Sequence, residues 1–263
     1  MNGLVKIRNS ITQELFVLNI QAPKYDILSS EASSFLHPLE QKYLSSVPHH
    51  NRKKSFLFGR YCAKKAINVY NKSINANEVF IKQGIWGQPI IKGCDEICVS
   101  ISHGDKYVSA FLFLEEYYIG IDLEEINCEK NLDIISLRKY IGCEKIPRNI
   151  KFVDYDGYDF AKVLLCGVSK LDTTICYTDQ ERVDFFIHWS LAEALSKALK
   201  CGLTVPKNIL SSCNFGWYKG MLLCDFKCFP QYSGCVFFIG EIILSICYPK
   251  QLDKIDSWEV VDL

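Results

Sequence analysis

No stretch of this sequence reaches eighteen consecutive apolar residues, so no membrane-spanning helix is expected. The longest apolar run, VFFIGEIILSICY at 236–248, is interrupted by Gly240 and Glu241 and reads as strand. Met1–Ile20 lacks the charged start, apolar centre and cleavage site of a secretory signal, which predicts a soluble, cytoplasmic protein. Net charge is missing as well. Thirty Lys and Arg balance thirty Asp and Glu, so nothing general attracts the chain to nucleic acid or to a membrane surface, and neither is expected as a partner. There is no C-x-x-C. The thirteen cysteines are odd in number and scattered, and only Cys94/Cys98 and Cys224/Cys228 share a looser C-x3-C spacing. Structural zinc needs tighter local pairs, so buried reduced thiols are expected instead. Repeats, low-complexity tracts and flexible linkers are absent too.

What is present is core material. Hydrophobic residues make up 49% and aromatics 13% of 263 residues, enough for one large domain or two modest ones.

The most informative stretch is 97–126. Residues 97–102 and 107–113 are rich in Val, Ile, Tyr and Phe, and His103-Gly104-Asp105-Lys106 joins them as a tight turn. A third strand is expected at 117–124, where Ile119, Ile121 and Leu123 alternate with Gly120, Asp122 and Glu124. Side chains two apart share a strand face, so Asp122 and Glu124 lie side by side. Two readings fit that pair: a solvated strand end whose charges discourage edge pairing, or a site for a hard divalent cation, which takes oxygen ligands.

Elsewhere, residues 1–30 alternate apolar and polar and supply an early strand, and 31–47 reads as a polar helical stretch punctuated by Pro38 and Pro48. A helix is expected at 52–71, with Phe56, Cys62, Ala63, Ala66, Ile67 and Tyr70 on its core face. Lys53, Arg60 and Lys64 form a basic stripe on another face, with Arg52 nearby. That stripe is either a solvated face or a phosphate clamp. A short strand at 78–82 precedes the turn-forming loop Gly84–Pro89. LDIISLRKYIG looks helical, and 145–183 shows no clear period. Trp189–Lys200 is a helix with Leu191, Ala194, Leu195, Ala198 and Leu199 on one face, and Gly202 as its stop. Ser190 and Glu193 have capping-box spacing, and Glu193 and Lys197 that of an i, i+4 ion pair, so local helix chemistry alone explains both. Two long strands, 217–229 and 234–248, complete the chain.

Taken in order, the motifs are F-x-x-G-R at Phe56–Arg60, G-x-P at Gly87–Pro89, S-x-S-H at Ser100–His103, G-I-D-x-E at Gly120–Glu124, and W-S-x-x-E-A-x-x-K at Trp189–Lys197. This series, spanning about residues 52–203, resembles the Sfp-type 4′-phosphopantetheinyl transferases. The resemblance implies an α+β fold of two similar α/β halves with antiparallel sheets, related by a pseudo-twofold, with the active site in the cleft between them. The halves would be 1–116, carrying the cofactor phosphate-binding helix and the S-x-S-H hairpin, and 117–263, carrying the G-I-D-x-E strand and the W-S-x-x-E-A-x-x-K helix. The helices at 52–71 and 189–200 would then be equivalent.

It also implies a reaction, transfer of the phosphopantetheine arm of coenzyme A to a serine of an acyl or peptidyl carrier protein by a monomeric enzyme. By the same resemblance Asp122, Glu124 and Glu193 would hold Mg²⁺, and Glu193 or Glu124 would take the serine proton. Arg52, Arg60, His103, Ser102 and Lys197 would contact the coenzyme A, with Lys197 stabilising the leaving group. Two positions depart from the family, which usually has lysine where this chain has Gln88 and Ala192. The alternative is a homologue that binds coenzyme A or a carrier protein without catalysis.

Overall fold

The computed structural model describes residues 2–94, 96–126, 146, 158–169, 180–255 and 257–261. The helical expectation at 132–142 and much of 145–183 lie outside them.

The chain opens not on one strand but on a hairpin, β1 (Gly3–Asn9) and β2 (Leu15–Gln21). Helices α1 (Tyr25–Ser30), α2 (Ala32–Phe35) and α3 (Pro38–Ser46) follow, then the long α4 (His50–Tyr70). A small hairpin of β3 (Phe80–Gln83) and β4 (Pro89–Lys92) leads to the expected hairpin of β5 (Ile97–His103) and β6 (Val108–Leu114). After β7 (Gly120–Glu125) come α5 (Asp159–Val168) and α6 (Gln180–Ala198). The two long C-terminal strands expected from sequence are four: β8 (Ser212–Tyr218), β9 (Met221–Phe226), β10 (Tyr232–Ile239) and β11 (Ile242–Pro249). Lys219-Gly220 and Gly240-Glu241 turn the chain there, and Lys219, Gly220 and Gly240 have positive φ. Strand β12 (Trp258–Val261) ends the fold.

Two five-stranded antiparallel sheets result, ordered β12-β1-β2-β6-β5 and β7-β11-β10-β9-β8. Period-two alternation assigns their faces. Phe16, Leu18 and Ile20 of β2 meet Ile121, Phe237 and Tyr248 of the second sheet in one shared core. Val17 points the other way, into a core with α4. Helix α6 covers the outer face of the second sheet. Among the described residues no helix is long and apolar enough to cross a membrane. Every described cysteine is a free thiol, and Cys62, Cys224, Cys235 and Cys247 are buried.

Two expectations about helices change. Helix α6 starts at Gln180 rather than Trp189, which puts Ser190 in mid-helix, where it cannot cap. Its end is a Schellman motif built on Lys200 rather than Gly202. Lys200 has φ of 54°, Cys201 N–H bonds Ser196 O at 3.1 Å, and Lys200 N–H bonds Lys197 O at 3.1 Å.

The basic stripe on α4 is corrected as well. Lys64 is only 1% exposed and belongs neither to a solvated face nor to a phosphate clamp. Its ammonium meets Glu40 at 2.6 Å and donates to the carbonyls of Ala76 (2.8 Å) and Val79 (2.7 Å). Glu40, also 1% exposed, accepts from the N–H of His37 and of Ile81 and pairs with Arg60 Nε at 3.1 Å. One carboxylate thus ties α3, α4 and β3 together.

Candidate functional site

The site grows from the seam between the sheets. Strands β5 and β7 are edge strands that lie side by side, and among the described residues they share no ladder. The outward N–H groups of β7 need partners instead. Ser100 Oγ accepts from Ile121 N–H at 3.0 Å, and Ser102 Oγ accepts from Leu123 N–H at 3.1 Å. That is the physical role of S-x-S: hydroxyls two residues apart match amides two residues apart. Ser102 Oγ then donates to Asp122 Oδ1 at 2.8 Å.

The other face of β7 carries Gly120, Asp122 and Glu124 against α6. A Cβ on Gly120 would lie 1.9 Å from Ala194 O, so only glycine lets strand and helix approach this closely. The approach brings Glu193, Lys197 and Trp189 over the strand carboxylates. Lys197 Nζ bonds Asp122 Oδ1 at 2.7 Å, so it is not the i, i+4 partner of Glu193. Trp189 hydrogen-bonds Glu124. Glu193 instead pairs with Lys207 Nζ, which comes from beyond the helix and lies 4.6 Å from the centre of the Trp189 ring. Both local explanations for Glu193, capping and the i, i+4 pair, are therefore set aside.

Burial, then the neighbouring Asp122 charge, pushes Glu124 up to about 8; Glu193 adds to the rise, while Lys197 and the Trp189 hydrogen bond oppose it. Asp122 Oδ2 is buried without a hydrogen-bond partner among the described residues. The donors are all carboxylates, the ligand type a small hard cation takes, but as placed they do not form a site for one. As the residues stand, ammonium groups take Asp122 Oδ1 and Glu193 Oε1. Among the described residues, no three His, Cys, Asp or Glu side chains form a group that could hold a metal ion.

A second group lies across β5. Arg52, Arg60 and His103 line a hollow of about 250 Å³ with Phe56 and Gln83. The glycine of F-x-x-G-R fits here for the same reason as Gly120, since a Cβ on Gly59 would lie 3.2 Å from Ile101. Arg60 does not reach into the hollow as a free cation. It stacks on Phe56, bonds Ile81 O at 2.9 Å and pairs with Glu40. The surrounding protein, and then the Lys197 charge, hold His103 below the ordinary histidine value. A neighbouring cavity of about 220 Å³ is lined by Glu193, Lys197 and Ser100, together with Trp86 and Tyr118. Gly87, Pro89 and Ile101 wall both spaces.

The predicted residues thus form two adjoining groups, Asp122, Glu124, Glu193 and Lys197 with Ser102, and Arg52, Arg60 and His103. Lys207 and Trp189's link to Glu124 were not anticipated. Nothing in local spacing marks Lys207, although a lysine directly after Pro206 and close beyond a helix end was a visible candidate.

The sequence matches no family model and no curated protein. Among solved structures it is similar to a holo-(acyl-carrier-protein) synthase from Bacillus anthracis str. Ames in complex with CoA (3′,5′-ADP). Identity is 19% and the TM-score 0.35, over 41% of this chain and 96% of that one. It is also similar to the holo-[acyl-carrier-protein] synthase of Thermotoga maritima, at 18% identity and a TM-score of 0.29, over 55% and 92% of the two chains. Likeness of this depth carries no weight for function.

Proposed function

We propose that the chain transfers the 4′-phosphopantetheine arm of coenzyme A to a serine hydroxyl of an acyl or peptidyl carrier protein. One observation carries the reading: the Asp122, Glu124, Glu193 and Lys197 cluster adjoins a hollow walled by Arg52, Arg60 and His103. A pyrophosphate ester needs such a pairing of phosphate-binding cations with a charge-compensated reaction centre. In this reading the protein is a cytoplasmic monomer of two similar halves, 1–116 and 117–263, with the site in the cleft between them. That each sheet carries one long helix, α4 or α6, supports the halves.

Arg52 and His103 bind the nucleotide phosphates through charge-assisted hydrogen bonds, Arg60 adds only the guanidinium N–H groups that Glu40 and Ile81 leave over, and Ser102 braces the strand edge beside them. A Mg²⁺ held by Asp122, Glu124 and Glu193 would supply Lewis acidity toward the pyrophosphate, and only once Lys197 and Lys207 release Asp122 and Glu193. The serine oxygen forms a bond to the phosphorus bearing the pantetheine arm. The bond from that phosphorus to the bridging oxygen breaks, and adenosine 3′,5′-bisphosphate leaves. Glu193 or Glu124 accepts the serine proton, and Lys197 offsets charge on the leaving oxygen.

Gln88 and Ala192 favour a second reading, binding without catalysis. Gln88 turns its side-chain oxygen back onto Trp86 N–H at 3.0 Å, and Ala192 is fully buried, so neither position offers a cation. Mass spectrometry of a carrier protein incubated with coenzyme A and Mg²⁺ decides between them. A gain of the phosphopantetheine mass is expected. Bound coenzyme A without that gain supports the second reading, and no binding at all overturns both. Glu193→Gln should abolish transfer while circular dichroism reports an intact helix; full transfer at saturating Mg²⁺ removes Glu193 from the site.

A further inference from the structure

The two sheets are not covered alike. Helix α6 lies over the outer face of the second sheet. On the first sheet α4 packs over β2, β6 and β5, toward one side of the five strands. Helix α5 meets β1 and β12 from the inner side, through Phe160, Ala161 and Leu164 of the shared core. The outer face of β1 and β12 therefore lies beside α4 rather than beneath it. Period two sends Val5 and Ile7 into the shared core and leaves Leu4, Lys6 and Arg8 half-buried on that outer face. Two strands make a strip about 10 Å wide, which is the diameter of one helix with its side chains.

Between the strip and α4 runs a groove of about 540 Å³. Leu4 and Val69 give it apolar surface, and Lys6, Lys65 and Lys72 bring three cations. No carboxylate lines it, and among the described residues none of these lysines pairs with Asp or Glu. Six other lysines do: Lys64, Lys106, Lys162, Lys197, Lys207 and Lys250. Lys65 Nζ instead rests at 3.5 Å from Gln21 Oε1 and 4.8 Å from the centre of the Tyr61 ring. Acids and bases balance over the whole chain, so three lysines without an acid are a local excess. The acid of the strip, Glu259, stands opposite Arg8 in the β1–β12 register and outside the groove lining.

We propose that this groove docks an acidic amphipathic helix of a partner protein, laid beside α4 over β1 and β12. The apolar stripe of that helix covers Leu4 and Val69, and carboxylates flanking the stripe pair with Lys6, Lys65 and Lys72. Width selects a helix and charge selects an acidic one. The docking site uses none of the residues of the transferase reading and stands or falls without it.

The test uses the whole chain and a fluorescein-labelled peptide of about 18 residues, roughly 27 Å of helix. The peptide carries Leu three and four positions apart, with Glu on both flanks of that stripe. Fluorescence anisotropy should show saturable binding. Lys65→Glu/Lys72→Glu should weaken it by at least about tenfold while circular dichroism and melting temperature stay unchanged. A second peptide, with Lys in place of each Glu, should regain binding to that double variant. If the double variant fails to fold, Lys72→Glu alone, beyond the end of α4, takes its place, with weakening of about threefold expected. Unchanged affinity in the folded variant overturns the proposal, and so does the absence of saturable binding to the unmodified protein. Equal binding of a scrambled peptide of the same composition reduces the groove to unspecific charge attraction and overturns it as well. Co-sedimentation with phosphatidylglycerol vesicles, without peptide binding, assigns the lysines to a membrane surface and equally overturns it.

Discussion

Replacing Glu40 with glutamine should be one of the most damaging single-atom-scale changes in this fold. The carboxylate faces donors on every side: His37 N–H at 2.9 Å, Ile81 N–H at 3.1 Å, Arg60 Nε at 3.1 Å and Lys64 Nζ at 2.6 Å. Glutamine offers one acceptor oxygen and turns an NH₂ group toward the remaining donors. It also leaves the Lys64 ammonium buried without its counter-charge. Breaking one side of a buried ion pair costs about 3–5 kcal/mol. For a chain of this size that lowers the melting temperature by roughly 10 °C. Burial already pulls the Lys64 pKa down, and only the Glu40 carboxylate counters it. In Glu40→Gln the lysine should therefore release its proton more readily, and the deficit should shrink as pH rises toward 9. Adding Lys64→Met removes the orphaned charge and should restore more than half of the loss, since an apolar replacement of a buried pair is often neutral. Urea unfolding of the two variants at pH 7 and 9 measures this. A loss under about 1 kcal/mol in Glu40→Gln, or no recovery in the double variant, would refute the reasoning. Arg60 provides a functional readout. Freed from Glu40 it loses its fixed place beside Phe56, and under the proposed function affinity for coenzyme A should fall together with stability.

Gly120→Ala should separate β7 from α6, because its Cβ would meet the backbone of Ala194 rather than a movable side chain. A melting temperature lower by roughly 10 °C is expected, as for other severe core overpacking, with loss of transfer under the proposed function, and an unchanged melting curve contradicts the contact. Asp253 provides a pH test away from the site. Burial raises its pKa from 3.8 to about 7, so the folded chain keeps a proton that the unfolded chain has already lost. Stability should therefore be full near pH 4 and fall as pH rises through 7, by at most about 4 kcal/mol. Asp253→Asn retains an acceptor for Phe160 N–H and should be more stable than the unmodified protein at pH 8 but not at pH 5; equal differences at both values contradict the assignment.

What the sequence disclosed is what local periodicity encodes. The β5–β6 hairpin and the shared face of Asp122 and Glu124 follow from period two, and the core face of α4 from period 3.6. The first turns of α6 were missed because Val183, Phe185, Phe186, Ile187 and His188 are all buried, and a helix buried on every side has no polar period to read. Lys64 was misread for a related reason. A helical wheel separates faces but cannot show that Glu40, 24 positions earlier, comes to rest against one of them. The capping-box spacing of Ser190 and Glu193 was genuine as a pattern and irrelevant as chemistry, since Ser190 Oγ instead bonds Asp122 O at 3.3 Å. Lys207 belongs to the same class of contact, reaching Glu193 from outside the helix.

The hydroxyl contacts between β5 and β7 have a mechanical consequence. Within each sheet, parting two strands means breaking a ladder of backbone bonds. Along β5 and β7 the crosslinks are side-chain ones: Ser100 and Ser102 accept from two amides of β7, Ser102 donates to Asp122, and Glu125 accepts from the N–H groups of Lys106 and Tyr107. Load applied across this seam should therefore open it while both ladders stay intact, with the shared core giving way behind it. The same weakness would let the walls of the two spaces beside β5 flex without costing either sheet a strand.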